Sequence, residues 1–355
     1  MQMNAQLFLK TLRQYGVAFM RSLVKTSLTW ALISISLIIS AEVTASPREP
    51  LRFNPLGDES YAETLTLFAL LDDRSYLLVQ TMLTNGGVGD EKPACRVLFV
   101  PAKGKVVHQV ERGGDWSYTK SRRRLTLGSC QLTQSARGIF WVAKTEDISA
   151  NIQIKGKPTF QALPEVKGDD EDEFFTSGIV YPWTQLNLQL KAPKLGRVNQ
   201  SGVGILNHTR STMLPPDVAK RWLKIYAFLP AQQETQSGAP LLIALRKPPE
   251  GGRASGWVWS KDAKNPRPLS AGELKQFRPW LLKSVPHTAQ LHLGKESIQL
   301  RKVRSLFTYE PVRQYGMMGR LAKSWVGDPI NRMSLIEMTR GGQKLLGLTE
   351  EIEIR

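Results

Sequence analysis

Hydrophobic and polar residues alternate along much of the chain with a period of two rather than 3.6. Thr184-Gln185-Leu186-Asn187-Leu188-Gln189-Leu190 alternates without error, and so do Thr64-Leu65-Thr66-Leu67, Arg124-Leu125-Thr126-Leu127 and Ala289-Gln290-Leu291-His292-Leu293. Strands of this kind have one wet face and one dry face, as in antiparallel sheets and barrels. Residues 76–83, 97–100 and 139–143 are apolar nearly throughout. Turn signals separate these runs: Asn85-Gly86-Gly87, Lys103-Gly104, Gly113-Gly114, Gly128-Ser129 and Lys155-Gly156-Lys157-Pro158. Many short strands at regular turn spacing predict a barrel or sandwich architecture. Helical signals are few. One starts at Pro215-Pro216-Asp217 and lasts at most two turns; the other is Ser270-Ala271-Gly272-Glu273 before Leu274, the spacing of a capping box.

A polar stretch rich in Pro, Gly and Lys at 191–201 (KAPKLGRVNQS) predicts a boundary. Each side holds about 150 residues and at least seven strand candidates, enough for one eight-stranded barrel apiece. The expected organisation is therefore all-β: a first barrel over 46–195 and a second over 196–355, with few short helices. No direct sequence repeat links the halves.

Residues 1–45 read as a signal peptide. Lys10, Arg13, Arg21 and Lys25 precede an uncharged stretch at 28–40 (LTWALISISLIIS), and Val43 and Ala45 supply the small residues a signal peptidase requires before Ser46. Thirteen or so apolar residues fall short of the roughly 20 that span a bilayer. Met20, just before Arg21, is an alternative start to Met1, and an uncleaved anchor is the competing reading. The expected location is periplasmic or secreted.

The formal net charge of the whole chain is +17, and cleavage after Ala45 lowers it by three. Such a surplus suits an anionic membrane surface or cell-wall polymer; nucleic acid is not expected for an exported chain. The two cysteines, Cys95 and Cys130, form a lone pair that is expected to bond in an oxidising compartment. The acidic run Gly168-Asp169-Asp170-Glu171-Asp172-Glu173 lacks the ligand and glycine spacing of a calcium loop and reads as a solvated turn.

The most specific stretch is Gly202-Val203-Gly204-Ile205-Leu206-Asn207-His208-Thr209-Arg210-Ser211, followed by Met213-Leu214-Pro215-Pro216 and Arg221-Trp222. Gly202 and Gly204 let a strand bend or another backbone come close. His208 and Arg210 share one strand face, with Asn207 and Thr209 on the other. Together with Ser211 and Thr212 they form either a polar cluster at a barrel mouth or a hydrogen-bonded knot.

This block resembles the start of the second domain in a lipocalin-like superfamily of yeast survival-factor proteins, bacterial exported AttH-type proteins and carotenoid 1,2-hydratases. Tyr61-Ala62-Glu63-Thr64-Leu65-Thr66 is similar to that family's first strand. Arg340-Gly341-Gly342-Gln343-Lys344-Leu345-Leu346-Gly347-Leu348-Thr349-Glu350 is similar to its last. The resemblance implies two consecutive lipocalin-like barrels. In the hydratase branch the corresponding motif reads Asp-His, and hydrating an alkene requires an acid that delivers a proton to carbon. Here Asn207 stands in the aspartate place, so His208 lacks its adjacent carboxylate.

Other chemistry is thinly represented. The four histidines, His108, His208, His287 and His292, lack metal-ligand spacing, so no metal is expected, and no nucleotide or cofactor fingerprint occurs. Trp257 and Trp259 share a strand face and either line an apolar cavity or touch a membrane. The leading expectation is an exported two-barrel protein binding a hydrophobic small molecule or lipid through His208, Arg210, Trp222, Trp257 and Trp259. The alternatives are a hydratase- or isomerase-like enzyme acting on an isoprenoid with His208 as catalytic residue, and a filled-barrel interaction module.

Overall fold

A computed structural model describes residues 51–355 apart from 86–89, 194, 229–239, 250–251, 262, 264 and 316–326. The expected signal peptide, both alternative start methionines and the Gly86-Gly87 turn lie outside the described residues.

The chain forms two antiparallel meanders. The first runs through β1 (Ala62–Leu71), β2 (Tyr76–Thr84), β3 (Lys92–Val100), β4 (Val107–Arg112), β5 (Trp116–Thr119), β6 (Arg124–Leu127), β7 (Cys130–Ser135), β8 (Gly138–Lys144) and β9 (Ser149–Lys155). It continues through the two-residue strands β10 (Gln161–Ala162) and β11 (Val166–Lys167), then the long hairpin β12 (Phe174–Ala192) and β13 (Gly196–Ser211). A single helical turn, α1 (Pro215–Val218), leads into the second meander: β14 (Arg221–Phe228), β15 (Leu241–Lys247), β16 (Ser255–Ser260) and β17 (Arg267–Pro268). A helix, α2 (Ala271–Leu282), then precedes β18 (Thr288–Leu293), β19 (Glu296–Tyr309), β20 (Pro329–Arg340) and β21 (Gln343–Ile354). Every run read as a strand from its alternation lies in one.

Both sheets share one topology. Each first strand pairs with its last, β1 with β13 and β14 with β21. Each sheet therefore ends on two strands consecutive in sequence, β4 and β5 in one and β17 and β18 in the other. The curl of the first sheet is tied across by a disulfide from Cys95 on β3 to Cys130 on β7, with Cα atoms 5.5 Å apart. Thr145 Oγ1 also donates to Gln109 Oε1 on β4 at 2.5 Å. In the second, α2 lies between the edge strands and inserts Phe277, Trp280 and Leu281 into the core. Ser270 caps it in the expected box: its hydroxyl accepts from the Glu273 N–H, and the Glu273 carboxylate accepts from the Ser270 N–H. At Gly341 and Gly342 φ is +56° and +79°, which the tight β20–β21 hairpin requires at both central residues.

Three apolar clusters follow from the alternation. Leu65, Leu67, Ala69, Val97, Phe99 and Leu206 fill the first sheet's concave side, and Leu223, Ile225, Ile243, Ile298 and Met338 fill the second's. The intervening residues of the same strands, Phe68, Leu70, Leu78, Leu98 and Ile205, meet Tyr226, Phe228, Leu242 and Leu348 in a third cluster. This is a seam in which the two sheets pack back to back. Strands β1 to β3 are apolar nearly throughout because they are buried on both faces.

The sheets change over later than residue 195. β13 begins at Gly196 but pairs with β1 from Gly202 to Ser211, so it completes the first sheet, and the chain crosses to the second between Ser211 and Arg221. The polar stretch at 191–201 is the β12–β13 hairpin. Pro, Gly and Lys favour turns as much as linkers, and composition alone does not separate the two. His208 accordingly belongs to the closing strand of the first sheet, not the opening strand of the second.

Replacing Cys95 and Cys130 by alanine should lower the unfolding free energy by about 3–4 kcal/mol, the chain-entropy worth of a loop this long. Denaturant titration of the double variant against the oxidised wild type measures it; equal midpoints would contradict a bonded pair.

Candidate functional site

β13 presents chemistry on both faces. His208 and Arg210 point into the first barrel's end, and Asn207 points into the seam. The register explains the first group. Glu63 lies opposite Arg210 and Leu65 opposite His208, so the Glu63 side chain falls beside both His208 and Arg210 on one face of the ribbon. His208 Nε2 is 2.7 Å from Glu63 Oε1, with both side chains almost fully buried. Arg210 Nε lies 3.7 Å from the same oxygen. Glu63 Oε2 accepts from the Tyr61 hydroxyl and, at 2.9 Å, from the Asn54 N–H. Burial, and then the charge of Glu63, raises the Tyr61 pKa above its ordinary value, so the phenol stays a donor.

His208 has no carboxylate next to it in sequence, as Asn207 implied, yet it does have one in space. Asn207 cannot supply one, but Glu63 does, from a strand 145 residues away in sequence. The signal was present in Tyr61-x-Glu63, whose spacing puts phenol and carboxylate on one strand face. Nothing local showed which strand would lie beside it.

A roof covers this cluster. Leu51 and Phe53, from the segment preceding β1, are buried in the first core, and the Phe53 ring stacks on His208 with centroids 5.6 Å apart and planes 10° from parallel. Arg210 Nη2 donates to Asn54 O at 3.2 Å.

On the seam side, Asn207 Nδ2 donates to Tyr226 Oη at 3.1 Å. Farther along, Arg96 of β3 donates through Nε to His108 Nε2 at 3.2 Å and lies over the Tyr309 ring, 4.3 Å from its centroid. His108 also packs on Phe307 and Tyr309. Burial, followed by the charges of Arg96 and Arg112, lowers the His108 pKa to about 4; the ring is neutral at pH 7 and free to accept from Arg96. Glu350 accepts from Asn331 Nδ2 at 3.0 Å. Arg96 Nη2, Asn207 Oδ1, Asn331 Oδ1 and Trp183 Nε1 are buried without a hydrogen-bond partner.

The five residues expected to form one ligand site divide between these places. His208 and Arg210 lie in the first barrel. Trp259 lies in the seam, 5.1 Å from Trp183 ring to ring, its Nε1 donating to Ala263 O at 2.9 Å. Trp257 shares its strand face, turned away from the second barrel's core, where Val258 points. Trp222 is half-buried near Phe175, with centroids 6.5 Å apart. Ser211 and Thr212 form the hydrogen-bonded knot: the Ser211 hydroxyl donates to Met213 O, and Thr212 Oγ1 accepts from the Phe174 N–H. A surface hollow of about 460 Å³ between Gln109, Glu111, Lys144 and Glu146 is polar and open. Among the described residues no cluster of three or more His, Cys, Asp or Glu is placed to hold a metal.

Known proteins agree with the fold. No protein-family model matches the chain and no curated protein sequence matches it. Solved structures do. The chain is similar to an AttH-type protein from Nitrosomonas europaea, with TM-score 0.61, 12% identity, and coverage of 90% of this chain and all of that one. It is similar to kievitone hydratase from Nectria haematococca, with TM-score 0.53, 8% identity, and coverage of 87% and 94%. It also matches CghA with Sch210972, at TM-score 0.50, 11% identity, and coverage of 83% and 89%. The all-β, two-barrel lipocalin-like fold expected from the sequence is the fold this chain has.

Two outcomes follow. Glu63→Ala should cost about 3–5 kcal/mol of stability, since it takes the carboxylate away from the Arg210 guanidinium and from the buried His208 ring. His208→Ala should cost less, about 1–3 kcal/mol for one lost buried hydrogen bond; urea titration of both variants tests the order. The depressed His108 pKa means the unfolded chain takes up a proton near pH 6.5 while the folded one does so only near 4. Its contribution is complete above pH 6.5, falls between 6.5 and 4, and is flat below. The stability difference between wild type and His108→Phe should shift by roughly 1–2 kcal/mol across that window, after discounting for partial exposure, and stay constant if His108 titrates normally.

Proposed function

We propose that this chain is an exported lipocalin-like protein that binds a hydrophobic ligand, a lipid being the first candidate, along the seam between its two sheets. One observation carries the reading. An aromatic and aliphatic seam contains buried polar atoms without partners, Arg96 Nη2, Asn207 Oδ1, Asn331 Oδ1 and Trp183 Nε1. Ligand sites are built this way, mostly apolar with a few polar groups that fix orientation, whereas a seam serving only to join two barrels leaves few such groups unpaired. Arg96 and Arg112 with a neutral His108 favour an anionic head group at that end. The basic surplus of the chain suits delivery to, or pickup from, an anionic membrane. The barrel interiors are filled by side chains, so the seam replaces the barrel lumen as the proposed place for the ligand.

An enzyme acting on an isoprenoid or similar apolar substrate is the second reading, favoured by the Glu63–His208 pair with the Tyr61 phenol, a set able to accept and return a proton. It ranks second because Leu51 and Phe53 roof the pair, and because lateral proximity to a carboxylate also serves structure.

Mass spectrometry of the exported protein should find an N-terminus at Ser46 and a co-purifying anionic lipid. Arg96→Gln should lower the affinity for a fluorescent fatty acid about tenfold or more. An exported protein free of lipid, with no fatty-acid affinity, would overturn the proposal; turnover of an isoprenoid that is lost in Glu63→Gln would put the enzyme first.

A further inference from the structure

The end of the first barrel is closed by a buried piece of irregular chain. Residues 51–57 form no strand or helix, yet Leu51 and Phe53 are as buried as any core residue. Side chains of the barrel hold the segment: Glu63 accepts from the Asn54 N–H, Arg210 donates to Asn54 O, and the Tyr61 hydroxyl lies 3.0 Å from that same oxygen. Asn85 Nδ2 donates to Leu56 O and Asp58 O just beyond. The strap thus presents an apolar body against His208 and, at its rim, the donor and the acceptor of one residue, Asn54.

Within the same barrel Tyr181 points into the core. A register shift in β12 brings it there; regular alternation from Ile179, which faces the seam, would have turned it out. Its hydroxyl is buried without a partner, and burial pushes its pKa up to about 12. A phenol so placed is a donor for an oxygen that the barrel's own residues do not provide.

We infer that this end of the first barrel is a second ligand site, distinct from the seam, for a neutral single-chain amphiphile whose head carries both a hydroxyl and a carbonyl oxygen, as in a monoacylglycerol, and that residues 51–54 are its built-in, displaceable occupant. The strap supplies the template. The ligand's carbonyl replaces Asn54 O before Arg210, its hydroxyl replaces the Asn54 N–H before Glu63, and its chain replaces Phe53 and Leu51. Neutrality follows from the Glu63 carboxylate, which already faces the Arg210 guanidinium; a second anion would meet Glu63. Because the plug competes, apparent affinity is reduced by the fraction of time the site is open.

Monoolein is the probe, and hydrogen exchange on the intact wild type is the first measurement. Monoolein should speed exchange of the amides in 51–57 while slowing exchange in β1 and β13. Phe53→Ala, which weakens the plug, should bind monoolein about tenfold more tightly than wild type, and adding Glu63→Gln should remove that gain. Oleate should produce neither effect. Arg96→Gln, which tests the seam, should leave monoolein binding unchanged. Unaltered exchange at 51–57 in saturating monoolein would overturn the inference even if Phe53→Ala fails to fold. Loss of monoolein binding in Arg96→Gln would place the ligand in the seam instead and overturn it equally.

Discussion

The ribbon of β1 against β13 must be buried on both faces at once, and most of the molecule is arranged around that requirement. One face, carrying Leu65, Leu67 and Leu206, belongs to the first barrel; the other, carrying Phe68, Leu70 and Ile205, belongs to the seam. Side chains must be small where neighbours press closest. A Cβ added to Gly202 would lie 2.5 Å from Leu70 O, and one on Gly204 would lie 2.9 Å from both Phe68 O and Leu186 Cδ2. Either substitution would push the ribbon off its neighbours and open barrel and seam together.

Charged groups enter this apolar ribbon where partners meet them. Glu63 sits where the ribbon leaves the core, with His208, Tyr61 and Arg210 around it. The second sheet has a counterpart at its own first-to-last strand junction. Arg221 on β14 lies 3.5 Å from Glu351 on β21, and both are buried; the Val285 N–H donates to the same carboxylate. The signs are exchanged, with the acid on the first strand in one sheet and on the last in the other. A charge removed from water at the junction is costly unless a partner lies in the adjacent strand, and antiparallel pairing of first and last strands places one there.

The seam obeys a different economy. Its aromatic residues come from both sheets, so neither sheet completes them alone. The second of two register shifts in β12, between Tyr181 and Thr184, matters here as well. Trp183 has φ of +40°, an uncommon conformation for a bulky residue, and its ring packs edge-on against Trp259. Tyr181 is turned in the opposite direction, into the first barrel. Two adjacent irregularities in one strand therefore supply the seam and the first barrel's core with an unpaired donor each.

Alternation by itself determined that the chain is built of antiparallel strands, because a strand's period of two is a local property that needs no partner. The capping box at Ser270 and the lone cysteine pair were legible for the same reason: each is decided within a few residues or by the absence of any other candidate. The stretch around His208 is a strand, as its alternation indicated. Its sheet was misplaced, since turn and linker share a composition at 191–201, and its carboxylate was missed, since Glu63 reaches it only through strand pairing. The roof of Leu51 and Phe53, the inward turn of Tyr181 and the grouping of Arg96, His108 and Tyr309 have no local signature at all. Register and packing between distant strands are properties of the whole sheet, and a shift of one residue sends every side chain to the opposite face; only the tertiary structure decides which side chains meet.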